Sequence, residues 1–174
     1  MIYFGPYRYH YSDMPVLSEK SPFYMQGLCF ACTRCSACCR FESGYVFLSG
    51  KDVSLLGEAL SMAKKEFIET YCRWIPSGNG VYQLSLKEKS NYDCIFWMPD
   101  KDPSLKGGCS VYNSRPLQCR AFPFWSSVVC NKKSWEMTAR DCPGINHGVL
   151  HSRDSIEKWL ALRKTEPIIT RGDL

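Results

Sequence analysis

Residues 28–40 read LCFACTRCSACCR and hold five cysteines: Cys29, Cys32, Cys35, Cys38 and Cys39. Core packing does not call for that density of thiols. Metal ligation does, because each thiolate is one ligand and a two-residue spacer lets a turn aim two sulfurs at one ion. The adjacent pair Cys38 and Cys39 adds a constraint. Neighbouring residues of an extended chain point their side chains to opposite sides, so the two need not serve the same ion. Any fold open to this chain has to bring further ligands to this run.

The chain has 11 cysteines in 174 residues. That usage fits either a secreted disulfide scaffold or an intracellular metal protein. The opening MIYFGPYRYHYSDMPVL has no basic start, apolar run and small-residue cleavage site, so it does not read as a signal peptide, and a cytoplasmic location is expected. No apolar run approaches the ~20 residues needed to span a bilayer, so no membrane partner is expected. An odd cysteine count and an adjacent pair fit disulfides poorly and favour metal. A formal charge of +5 would ordinarily suggest an acidic partner such as nucleic acid. Eight thiolates around two divalent ions would bring that sum down to about +1, so no nucleic-acid partner is expected. Arg34, Arg40, Arg115 and Arg120 sit beside cysteines and can supply neutralising charge.

The length predicts one domain, and 45% hydrophobic with 14% aromatic residues predicts a globular one. Residues 1–27 read as an irregular arm whose aromatics, Tyr3, Phe4, Tyr7, Tyr9, Tyr11, Phe23 and Tyr24, pack on the core or meet a protein partner. Residues 28–150 form the metal-binding body, and residues 151–174 a C-terminal helix and frayed tail on the same domain. Within the body, residues 44–48 and 81–86 are strand candidates. Ser49 reads as a helix N-cap with Asp52 in the first turn. A second helix is expected over 61–75, with Phe67, Ile68, Tyr71 and Ile75 on its buried face and Cys72 beside them as a core residue. Residues 94–98 and 109–112 read as ordered, strand-like segments. Asn113 or Ser114 is expected to cap a short helix with Pro116 in its first turn. Residues 124–138 read as a hairpin with Cys130 near its turn, residues 142–144 as a tight turn, and 152–164 as a helix carrying Ile156, Trp159, Leu160 and Leu162. The fold class is α+β: short strands, a two-helix unit and a cysteine-rich core stitched by metal.

Taken as a set, Cys32, Cys35, Cys38 and Cys39 spell CxxCxxCC, and Cys94, Cys109, Cys119 and Cys142 lie downstream. Eight cysteines make two four-coordinate sets. One division joins Cys32, Cys35 and Cys38 to one remote cysteine and leaves Cys39 with the others. Three cysteines at two-residue spacing with a remote Cys-Pro, here Cys142-Pro143, also match the ligand pattern of a ferredoxin-type [4Fe–4S] cluster. Zinc and iron–sulfur clusters both take tetrahedral thiolate sets, and a single bridged cluster would use all eight.

The run CTRCSACCR, then C-x-F, then C-x-V-Y-x-x-R-P-x-x-C-R-x-F-P-F and a late C-P-G, resembles the YkgJ-like CxxCxxCC family, described as a zinc- or iron-chelating domain. The likeness covers residues 28–146. It implies that Cys32, Cys35, Cys38, Cys39, Cys94, Cys109, Cys119 and Cys142 are the metal ligands and leaves Cys29, Cys72 and Cys130 outside. Ser36 departs from the glycine that family members usually carry there. A similar motif in the longer flagellin lysine methylases implies a link to methyl transfer. Arg115 and Arg120 flank Cys119 and are candidates to hydrogen-bond thiolates or hold an anionic cofactor or substrate; ordinary salt bridges are the plain alternative. His147 and the tryptophans Trp97, Trp125 and Trp135 are candidates to join or seal the site, against plain surface and core roles. Three functions follow: a chelating or structural metal protein, an iron–sulfur enzyme or electron carrier, and an interaction module with structural zinc.

Overall fold

The computed structural model describes residues 21–102 and 107–173. The aromatics of the expected arm up to Tyr11 lie outside them. Phe23 and Tyr24 lie inside, and Tyr24 is buried with its hydroxyl donating to Glu157 at 2.9 Å. The element order is β1 (Leu28–Phe30), α1 (Gly50–Ala59), α2 (Lys64–Tyr71), β2 (Cys72–Pro76), β3 (Tyr82–Leu86), β4 (Trp97–Met98), β5 (Gly108–Cys109), α3 (Leu117–Ala121), α4 (Ser126–Val129), α5 (Lys132–Ala139), β6 (Val149–His151) and α6 (Arg153–Thr165). The strands pair antiparallel as β1–β6, β2–β3 and β4–β5, so the α+β expectation holds. No helix among the described residues is long and apolar enough to cross a membrane.

Two apolar cores form. The first packs Leu48, Val53, Leu56, Phe67 and Leu84 between α1, α2 and the β2–β3 hairpin, together with Cys72, Cys94 and Phe96. The second gathers Tyr24, Phe122, Phe124, Val128, Val129, Trp135, Ile145 and Ile156. Helix α1 begins where the sequence places it. Ser49 Oγ accepts from the Asp52 N–H at 3.2 Å, and Asp52 Oδ2 accepts from the Ser49 N–H at 2.9 Å, a reciprocal capping box. Residues 44–48 run beside β3, with the Leu48 N–H donating to Leu84 and the Leu86 N–H to Val46.

Four expectations need correction. The second helix stops at Tyr71, and residues 72–76 turn into a strand. Cys72 pairs with Leu86 and Trp74 with Leu84, so a ladder to β3 and burial of Cys72 outweigh helix propensity. Residues 124–138 form two short helices in place of a hairpin. Asn131 caps the second by accepting from the Ser134 N–H at 2.9 Å, and Val128, Val129 and Trp135 all reach the second core. Asn113 and Ser114 lie in a 3-10 turn, and Pro116 precedes α3. The tail is docked and not frayed: the Leu84 N–H donates to Ile169, the Ile169 N–H donates to Leu48, and Arg171 lies over the Tyr82 ring at 4.7 Å. Satisfying buried backbone groups of β3 holds it there.

Candidate metal centre

One cavity of about 930 Å³ takes wall residues from both cores, including Phe96 and Val111 from the first and Phe122 and Val128 from the second. Cys32, Cys35, Cys38, Cys39, Cys94, Cys109, Cys119 and Cys142 all line it. Cys29, Cys72 and Cys130 do not. Cys29 faces Leu150 across β1–β6, Cys72 is in the first core, and Cys130 is exposed at the junction of α4 and α5.

Several separate devices set the lining cysteines. Residues 32–38 form a loop in which Arg34 and Ser36 take left-handed backbone angles, with φ of 54° and 65°. Ser36 Oγ donates to the Gly107 carbonyl at 3.1 Å, tying the loop to β5. Ala37–Cys39 is a 3-10 turn, and the Cys39 carbonyl accepts from the Cys94 N–H at 2.8 Å. Arg40 and Asp93 continue that join: Arg40 Nε meets Asp93 Oδ1 at 3.0 Å, and its guanidinium lies 3.7 Å from the Trp97 ring centre. Cys109 is paired opposite Trp97 in β4–β5. Cys119 rides on α3, whose first N–H, from Leu117, donates to the buried Asp52 Oδ1 at 2.7 Å. Cys142 opens a turn closed by the Ile145 N–H at 3.1 Å. Gly144 lets that turn lie against the strand leading into Cys32, where a Cβ would collide with the Ala31 carbonyl oxygen.

The left-handed Ser36 gives a clean expectation. An L-residue in that region costs about 1–2 kcal/mol, and the Ser36 hydroxyl bond returns about 1 kcal/mol. Ser36→Gly should therefore leave stability within about 1 kcal/mol of the parent, whereas Ser36→Ala keeps the strain, loses the bond and should cost about 1 kcal/mol. Urea titrations of both variants check it; equal losses would show that the backbone angle carries no cost.

The thiols act on one another. A hydrogen bond between Cys38 and Cys39, with sulfurs 3.7 Å apart, holds the Cys38 thiol down at about 6 and pushes Cys39 up. Burial raises Cys94, Cys109 and Cys119; Cys38 adds to it in all three, Cys109 in Cys94, and Cys94 and Cys109 in Cys119. Burial also raises Cys142, with Cys35 and Cys38 adding to the effect. The Arg115 charge lowers Cys38 further and offsets part of the rise in Cys109 and Cys119.

Arg115 lines the cavity, with Nε donating to the Tyr112 carbonyl at 2.9 Å. Arg120 does not line it; its Nε donates to the Arg115 carbonyl at 2.9 Å and its Nη2 is buried without a partner. His147 is exposed off the cavity. Trp125 is on the wall, Trp97 lies under Arg40, and Trp135 belongs to the second core. Two features were not legible beforehand: the Arg40–Asp93 pair and the role of Tyr112 as a platform for guanidinium groups.

A model of the CxxCxxCC family, described as "Putative zinc- or iron-chelating domain", matches residues 31–143. The chain belongs to the CxxCxxCC family. The matched span contains all eight lining cysteines and begins after Cys29. No solved structure matches this CxxCxxCC chain. The donor set fits zinc or iron in kind and number, since soft thiolates are what these metals take. As the side chains stand, no three Cys, His, Asp or Glu groups among the described residues close on one ion position. Cys32 and Cys38 are the exposed members of the set.

Proposed function

We propose that this CxxCxxCC domain binds zinc or iron through Cys32, Cys35, Cys38, Cys39, Cys94, Cys109, Cys119 and Cys142 as two neighbouring four-thiolate sets. The observation that carries the reading is the partition of the eleven cysteines: eight line one cavity and three do not. The Cys142 thiol is acted on by Cys35 and Cys38, which favours one set of Cys32, Cys35, Cys38 and Cys142. Cys119 is acted on by Cys94, Cys38 and Cys109, and Cys39 by Cys38, Cys119 and Cys94, which leaves Cys39, Cys94, Cys109 and Cys119 as the other set, with Cys38 adjoining both. A reducing compartment such as the cytoplasm suits eleven free thiols. The metal would cross-link loops drawn from both cores, and closed Cys₄ sets would make that role structural.

A second reading places an iron–sulfur cluster on the first set, because three cysteines at two-residue spacing and a Cys-Pro supply its ligands. Metal and acid-labile sulfide content of anaerobically purified protein separates the two. About two zinc ions per chain without sulfide support the first reading. Iron with matching sulfide, lost in both Cys38→Ser and Cys142→Ser, supports the second. Folded protein that takes up neither metal overturns both.

A further inference from the structure

We propose that Arg34, Tyr112 and Arg115 form an oxyanion site on the wall of the thiol-lined cavity, taking the carboxylate or phosphate head of a small molecule with an apolar body. The proposal rests on the metal-binding reading above, because the anion would sit beside the metal. All three residues line the cavity. The Tyr112 ring carries two guanidinium groups: Arg115 Cζ lies 3.7 Å and Arg34 Cζ 4.3 Å from its centre.

Two like charges gathered on one ring repel each other, and a fold that gathers them normally supplies an acid. Arg40, the third arginine on this wall, has one in Asp93. Among the described residues neither Arg34 nor Arg115 has a carboxylate partner, which leaves the cavity thiols as the counter-charge at hand. Arg115 commits only its Nε, to the Tyr112 carbonyl, which fixes the group in place and leaves its Nη edge to donate. Neither arginine hydrogen-bonds a cysteine sulfur, so direct N–H to sulfur bonds do not account for the pair. Planar forks held flat on an aromatic ring are suited to bidentate contact with carboxylate or phosphate oxygens.

The space also exceeds what metal requires. A cavity of about 930 Å³ lies within the usual small-molecule range of roughly 300–1,000 Å³. Phe30, Phe122 and Trp125 form a continuous aromatic stretch of its wall, with ring centres 6.2 and 5.2 Å apart. That stretch can cover the apolar body of a ligand whose head lies on the arginines.

The test titrates zinc-loaded protein with phenyl phosphate, benzoate and inorganic phosphate at low salt, by calorimetry, with zinc content measured on the same samples. The wild type should saturate with phenyl phosphate or benzoate and bind inorganic phosphate more weakly; whichever aryl anion binds better identifies the head group. Arg34→Gln should weaken binding about tenfold or more, with Arg34→Lys intermediate, and leave zinc content unchanged. Arg34 is exposed, so neither change threatens the fold. Zinc-loaded wild type that binds none of the three up to about 10 mM, or Arg34→Gln that binds like wild type, overturns the proposal alone. Loss of zinc in Arg34→Gln also overturns it and makes the arginine a counter-charge to the thiolates. Wild type that never takes up metal fails the underlying reading, and this one with it.

Discussion

Replacing Asp52 by asparagine is expected to cost about 3 kcal/mol of folding stability and to lower metal content with it. Asp52 is fully buried, and its two oxygens work in two places. Oδ2 accepts from the Ser49 N–H at 2.9 Å and the Ser49 hydroxyl at 2.8 Å, starting α1. Oδ1 accepts from the Leu117 N–H at 2.7 Å, starting α3. An asparagine of nearly the same size has one acceptor oxygen and turns an NH₂ toward the other set of donors. Either α1 or α3 then loses its cap inside the protein, where no water replaces it. The nearby Arg163 guanidinium is held down by burial and pulled back up by Asp52 and Glu166, so it also loses a compensating charge. Since α3 carries Cys119, the loss reaches the cavity. Urea unfolding and zinc content of Asp52→Asn check both parts. Wild-type stability within about 0.5 kcal/mol would show that the two helices are held by packing alone.

Asp52 also marks how far the sequence could be read. Its cap of α1 follows from local spacing, Ser49 with an acid three residues on. Its hold on Leu117, 65 positions away, leaves no local trace. The same division runs through the molecule. Cys32, Cys35, Cys38 and Cys39 stood out because thiol density and two-residue spacing are unusual in any core; Cys94, Cys109, Cys119 and Cys142 have neither and came with them through their flanking residues and the family resemblance. The separate standing of Cys72 was legible from its apolar neighbours, although its strand was not. Residues 72–76 read as helix because Tyr71 and Ile75 keep the period; the strand forms because β3 offers a ladder, a tertiary effect. Residues 124–138 misled for the same reason in reverse, since two short helices became worthwhile only with a second core to bury Val128 and Trp135. Arg120 looked like a site residue by adjacency to Cys119, yet it faces the Arg115 carbonyl, while Arg34 reaches Tyr112 from across the chain.

Metal-free and metal-loaded protein should respond to pH in opposite directions. In the metal-free fold, burial raises the thiols of Cys94, Cys109, Cys119 and Cys142 and takes Cys72 up to about 12. In the unfolded chain these thiols ionise at about 8.5. The folded state therefore holds more protons above that value. Its stability is complete below about 8.5 and is lost as pH climbs toward 12, by up to about 1.4 kcal/mol per unit for each such thiol. Loading reverses the balance. A folded state holding metal keeps thiolates where the unfolded chain holds thiols, so it binds fewer protons between pH 6 and 8. Stability then rises with pH by about 1.4 kcal/mol per unit for each proton the metal displaces. Cys38 runs against its neighbours: its hydrogen bond with Cys39 holds it down, so through this one thiol the metal-free fold gains stability as pH rises toward 8.5, and Cys38 gives up little proton to metal above neutral pH. Thermal melts of zinc-loaded and chelator-treated protein from pH 6 to 10 should thus diverge as pH rises. Proton release on adding zinc to weakly buffered protein at pH 7 counts the thiols that take part. Parallel pH trends with no proton release would mean that these thiols are not the ligands, whatever else the cavity holds.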